Sequence, residues 1–223
     1  MKLKNIVLKY KFALLLSALL LFFLLNPLFA SPTGSFYFGI LFTLVLLFCV
    51  LVITQKKSII ALGILLAALT FLGAWSGIIY KPIKTLMLIE TIIASVFFFL
   101  ITSVVLSTVI RDKGFTINTI LGAICGYLLV GLSWSFIFLF VYYLDAQAFA
   151  FAPHVLVNKT PNLHDFIYFS FVSLTTIGYG DITPVDGYAR TFAWIEAAVG
   201  QIYLTVWIAH LVAMHVATRR SKN

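Results

Sequence analysis

Six stretches of the sequence run for about twenty residues or more with almost no charged side chain, and no other feature restricts the fold so strongly. They cover Phe12–Ala30, Phe36–Thr54, Ile59–Tyr80, Thr85–Ile110, Phe115–Leu144 and Tyr188–Val216. A helix of about 20 mostly apolar residues crosses about 30 Å of hydrocarbon, so each run predicts a membrane span. Composition agrees: of 223 residues, 62% are hydrophobic and 10% charged, whereas a soluble domain has about a quarter of its residues charged. A water-soluble fold is excluded. Cys49 and Cys125 both lie inside apolar runs, which implies neither a disulfide framework nor a metal cluster. Lys2, Lys4, Lys9 and Lys11 ahead of the first run resemble the start of a signal peptide. The length of that run, and Leu28 where a small residue is wanted ahead of Ala30, favour a retained helix.

The formal net charge of +8 takes its meaning from where the basic residues fall. With the N-terminus cytoplasmic, the inner side holds Lys2, Lys4, Lys9, Lys11, Lys56, Lys57, Arg111, Lys113, Arg219, Arg220 and Lys222. The outer side holds Lys81, Lys84, Lys159 and Arg190. Eleven against four is the asymmetry that orients a multi-pass protein, with both termini in the cytoplasm. The charge is therefore a topology signal and no nucleic-acid partner is expected. Asp145, Asp165, Asp181 and Asp186 cluster after the fifth run, where they would raise the local cation concentration on the outer side. Glu90 and Glu196 lie within runs, and an acid there is a candidate functional group, with a structural hydrogen bond as the competing reading. Glu90 is placed to reach Lys84 or the outer headgroups, and Glu196 to lie near hydroxyls of the segment that precedes its helix. No nucleophile–base or metal-ligand spacing appears in any span, so an enzyme is not expected.

The segment between the fifth and sixth runs carries the chemistry. Thr160 as N-cap, Pro161 at the first helical position and Asp165 in the early turns predict a helix start. The apolar stretch Phe166–Leu174 is too short to cross a bilayer and predicts a re-entrant half-helix. Irregular backbone at membrane depth is tolerated only beside protein or a water-filled cavity. Thr176, Ile177, Gly178, Tyr179 and Gly180 come next. The two glycines permit positive φ, which lets successive carbonyls face one side. One chain supplies one such strand, which cannot surround an ion, whereas four chains about an axis would supply stacked oxygen rings. The half-helix ending at Thr175–Thr176 would aim its partial negative end toward the same axis.

Thr-Thr-Ile-Gly-Tyr-Gly-Asp, residues 175–181, resembles the selectivity filter of potassium channels, whose common form is Thr-Val-Gly-Tyr-Gly. Ile177 replaces Val, a change that leaves the working carbonyl in place. The wider pore module resembles bacterial channels with a two-helix pore domain. The resemblance implies an all-α membrane protein: six transmembrane helices, with a re-entrant pore helix and selectivity filter between helices 5 and 6, and a tetrameric pore. Residues 1–114 would form a four-helix region, and residues 115–223 the pore domain. That domain divides into an outer helix at 115–144, a pore helix at about 161–175, a filter at 176–180 and an inner helix at 188–217. Potassium would be a permeant ligand at Thr176, Ile177, Gly178 and Tyr179, without any cofactor. The resemblance makes Asp181 an acceptor for Tyr168, with Thr175 also in filter support. Phe169 stands where many channels have a Trp donor, and Val172 where some have an acid, so neither contact is expected here. Gly200 sits where such channels often keep a hinge glycine; close helix packing through a small residue is the other reading.

The expected function is a passive, potassium-selective homotetramer in a plasma membrane, bacterial by resemblance. The alternative is a non-conducting membrane sensor or regulatory subunit. The fourth run contains no basic residue between Lys84 and Arg111, so a voltage-sensing role is not expected. The residues after Val216 are too few for a ligand-binding domain. His210 and His215 near the inner end of the sixth run are candidates for a pH response, or simply interfacial residues.

Overall fold

A computed structural model describes residues 10–25, 34–52, 57–79, 83–111, 116–153, 155 and 160–220. The chain is mostly helical: α1 (Lys11–Leu25), α2 (Gly34–Val52), α3 (Lys57–Ile79), α4 (Lys84–Arg111), α5 (Ile117–Leu144), α6 (Leu163–Leu174) and α7 (Gly187–Arg220). Two short strands, β1 (Phe149–Phe151) and β2 (Ile182–Pro184), flank α6. Four helices, α3, α4, α5 and α7, are long and apolar enough to cross a membrane. The described parts of α1 and α2 are apolar but shorter, and α6 is a short apolar helix of 12 residues. Residues 26–30, which complete the first expected span, lie outside the described residues.

The core is organised around α5. Thr116 starts this helix from an extended conformation, its side chain accepting from the Thr119 N–H. Small residues along α5 let neighbours approach closely, as is common where helices pack in membranes. A β-carbon on Gly122 would lie 2.5 Å from Val109 of α4, and one on Gly131 would lie 2.8 Å from the Phe171 ring of α6. Phenylalanine rings then join α2, α4 and α5: Phe98 stacks on Phe136 at 5.4 Å, and Phe42 lies 6.0 Å from Phe98. Helix α1 reaches α6 directly, with Phe23 edge-on to Phe171 at 5.0 Å. The first four helices are thus packed onto the C-terminal part.

Strands β1 and β2 pair antiparallel, Ala150 opposite Thr183. The Ala152 N–H donates to the Asp181 carbonyl at 2.8 Å and the Val185 N–H to the Ala148 carbonyl at 2.8 Å. The segment after α5 therefore fastens the strand leaving residues 176–180. Chain entry into α7 is set by Asp186, whose carboxylate accepts from the N–H groups of Tyr188 and Ala189.

The start of α6 corrects the sequence reading. The N-cap is Asn162 rather than Thr160, and Pro161 lies outside the helix. Asn162 accepts from the His164 N–H at 2.9 Å while Asp165 accepts from the Asn162 N–H at 3.0 Å. This reciprocal pair satisfies first-turn donors that Thr160 is too far upstream to reach. The helix consequently spans Leu163–Leu174, with Thr175 as C-cap, within the expected 161–175.

Candidate ion-coordination site

Residues 176–180 follow the last turn of α6 and take their shape from it. The Thr175 and Thr176 N–H groups donate to the carbonyls of Phe171 (3.1 Å) and Ser173 (2.9 Å). Those of Ile177 and Gly178 both donate to the Val172 carbonyl, at 3.0 and 3.4 Å. A trans peptide sets its C=O opposite its N–H, so the carbonyls of Thr176 and Ile177 point away from α6. Backbone handedness alternates in the same stretch. Thr176 has φ +58°, Gly178 +62° and Gly180 +79°, while Ile177 and Tyr179 are not in the positive region. Alternating hands gather successive N–H groups on one side and leave the carbonyls on the other. Thr176 is the one non-glycine with positive φ among the described residues. That conformation costs an L-residue about 1–2 kcal/mol, which the amide bonds to the last turn of α6 offset.

In the isolated chain this segment faces solvent: Ile177 is 54% and Tyr179 69% exposed. Behind it, the Tyr168 hydroxyl donates to Asp181 Oδ2 at 2.5 Å, and the Ile182 N–H donates to Asp181 Oδ1 at 3.0 Å. Phe169, which lacks a donor, is instead buried against Phe138 at 4.8 Å and Phe149 at 5.4 Å. Val172 is buried and its carbonyl holds the strand amides. Thr175 turns its hydroxyl back to the Phe171 carbonyl.

Helix α7 runs past the strand without a break from Gly187 to Arg220. Glu196 is fully buried, with Oε1 2.5 Å from the Ser170 hydroxyl of α6. Ser170 also lies 2.7 Å from the Gly131 carbonyl of α5, so three helices meet there. One turn on, Gly200 is pressed against the Leu174 carbonyl, leaving no space for a β-carbon. The neighbouring Gln201 donates from Nε2 to the Thr176 hydroxyl at 3.4 Å. Ser170, Gly131 and Gln201 were not singled out by the sequence reading. Only Gln201 left a signal there, as a polar residue beside a glycine in an apolar helix.

Glu90 does not reach Lys84. It accepts from the Ser76 hydroxyl of α3 at 2.9 Å, while the Lys84 ammonium donates to the Leu144 carbonyl at 3.5 Å. Ser76, near the end of α3 that adjoins the start of α4, supplies a closer donor than the lysine six residues back. His210 lies edge-on to Trp207 at 5.5 Å. Among the described residues no group of three or more His, Cys, Asp or Glu side chains could hold a metal ion.

Residues 115–216, just under half of the chain, match the family described as "Ion channel". Over 60 residues, 27% of this chain, the sequence is 35% identical to "Two-pore potassium channel 3" from Arabidopsis thaliana. The matched stretch spans 14% of the plant protein. No solved structure matches the chain. With its long apolar helices, the chain is an integral, multi-pass membrane protein, and its residues 115–216 are similar to the ion-channel family.

Proposed function

We propose that four copies of this chain form a pore that conducts potassium passively and selectively. The observation that carries this reading is the backbone of residues 176–180. The amides of Thr176, Ile177 and Gly178 turn toward α6, positive φ recurs at Thr176, Gly178 and Gly180, and the carbonyls of Thr176 and Ile177 point the opposite way. A dehydrated potassium ion needs such oxygens all around it, and four symmetric strands supply rings of carbonyls. The Thr176 hydroxyl would add a ring at the inner end.

A tetramer is favoured by the unequal burial of the helices. In the lone chain, 72% of the most apolar window of α5 is buried, but only 17% of that of α7. Helix α7 would line the axis and pack against its copies. The similarity to a plant protein named as a potassium channel points to the same ion, over the part of this chain it covers. Helix α4 carries no basic residue between Lys84 and Arg111, so the pore would open without a voltage sensor of the arginine-rich kind.

The test is reconstitution of the purified chain in liposomes with opposed potassium and sodium gradients. Potassium-selective flux from a preparation shown to be tetrameric is the expected result. Tetramers without such flux would support a non-conducting membrane subunit instead.

A further inference from the structure

Two short oxygen–oxygen contacts meet at Ser170. Its Oγ lies 2.7 Å from the Gly131 carbonyl oxygen and 2.5 Å from Glu196 Oε1. Oxygens this close need a proton between them, because two lone pairs facing each other repel. Two contacts therefore need two protons. A carbonyl has none to give, and a serine hydroxyl has one. If Ser170 spends its proton on Gly131, only Glu196 can supply the second. If it spends the proton on Glu196, the carbonyl contact is left without one.

The rest of the Glu196 environment leads the same way. The residue is 0% exposed, and its other oxygen, Oε2, has no hydrogen-bond partner. An ionised carboxylate, an acceptor only, wants several donors, and one buried without a cation is costly. Two hydroxyls of α5 at this junction are committed elsewhere: Tyr127 directs its own to the Leu174 carbonyl, and Ser135 directs its own to Gly131. A carboxylic acid needs only the bond it has.

We propose that Glu196 carries its proton and donates it to Ser170, making this buried acid a neutral strap between the inner helix and the pore helix. It is a positioning residue. Through Ser170 it fixes α6 four residues before Leu174, and through Gly131 it fixes both to α5. It adds no negative charge near the conduction path, so cation attraction is left to the carbonyls and to the aspartates of the outer segment. Gln at this position keeps a donor of similar reach and is the faithful mimic of the protonated acid.

Infrared spectroscopy of the purified full-length chain in lipid tests this directly. At neutral pH the wild type should show a protonated-carboxyl stretch that disappears in Glu196→Gln. In Ser170→Ala the same band should move to higher frequency, because the acid loses its hydrogen-bond acceptor. Glu196→Gln should unfold at the wild-type temperature, whereas Glu196→Ala should unfold earlier. Coincident wild-type and Glu196→Gln spectra in the protonated-carboxyl region would overturn the proposal, as would a difference confined to ionised-carboxylate bands. The reading requires no ion flux, so a silent pore would count against the proposed conduction and not against this assignment.

Discussion

Gly200 of α7 lies directly against the main-chain carbonyl of Leu174, the last residue of α6. One turn earlier on both helices, Glu196 meets Ser170. Positions 196 and 200 therefore form a stripe laid along positions 170 and 174, as residues four apart share a helix face. Helix α7 is held to α6 immediately before residues 176–180 begin.

Gly200→Ala would place its methyl on that carbonyl and within 3.0 Å of Leu174 Cδ1. The side chain can rotate away, but the carbonyl cannot move without shifting residues 175–178, whose amides are bonded to the same turn. Overpacking of this kind costs about 1–3 kcal/mol. The substitution should lower both the melting temperature of the assembly and the potassium flux. If the glycine served only as a hinge, melting would be unchanged and gating alone would alter, which thermal unfolding beside flux measurement distinguishes.

The Tyr168–Asp181 bond makes a prediction about pairs. A hydrogen bond to a charged group contributes about 1.5–3 kcal/mol. Tyr168→Phe and Asp181→Asn should each destabilise the strand behind which they sit. The double variant should be little worse than Tyr168→Phe alone, since groups in one contact do not act additively. The rate at which potassium flux declines during sustained conduction is the readout. Fully additive effects of the two substitutions would show that the 2.5 Å contact does not support the strand.

Much of this site was legible in the sequence, and the part that was not has a physical reason. The string 175–181 specified its backbone because Gly178 and Gly180 mark the positions that need positive φ. Tyr168 and Asp181 were paired by family likeness, at a separation that one half-helix and one strand set. The start of α6 was misjudged because Thr160–Pro161 and Asn162 both look like helix starts. What decides is the reciprocal bond from Asp165, a three-residue relation rather than a single preferred residue. Glu196 was placed near hydroxyls of the segment before its helix, but neither Ser170 as the hydroxyl it meets nor Gly131 as the third member of the junction could be read. The junction depends on the rotation of α6 against α5 and α7, and Gly131 contributes only a carbonyl, which every residue has. Strands β1 and β2, at three residues each, are too short to leave an alternation pattern.

Gly178 separates conformation from space. Its φ of +62° is unfavourable for L-residues, yet an L β-carbon there would meet nothing of its own chain within 4 Å. An L-alanine should therefore fail through backbone strain of about 1–2 kcal/mol, and a D-alanine, for which positive φ is natural, should be accepted. Semisynthetic protein carrying each residue can be compared by potassium flux in liposomes. The expected order is Gly and D-Ala conducting, with L-Ala reduced by about tenfold, as a free-energy change of about 1.4 kcal/mol implies. Equal loss with both enantiomers would mean that the methyl obstructs the path and that backbone handedness is not the determinant.

Helix α4 makes a prediction about voltage. Each elementary charge that crosses the membrane field contributes about 2.3 kcal/mol per 100 mV. A single such charge would change the ratio of open to closed pores by more than about a thousandfold across 200 mV, at 1.36 kcal/mol per factor of ten. Between Lys84 and Arg111, α4 offers only Glu90. That acid is bonded to Ser76, and a β-carbon on Gly73 would lie 2.7 Å from its Cγ, so α3 closes around it. On its other side α4 is fastened to α5 by the stacked rings of Phe98 and Phe136. A helix with no cation to carry, and with its one acid held by a neighbour, has no gating charge to move. Single-channel recordings in planar bilayers from −100 to +100 mV should show an open probability that varies by less than about threefold, well under the effect of one charge. A steep dependence would assign voltage sensing to a different part of the chain, and Glu90→Gln in the same recordings would show whether that acid is the charge that moves.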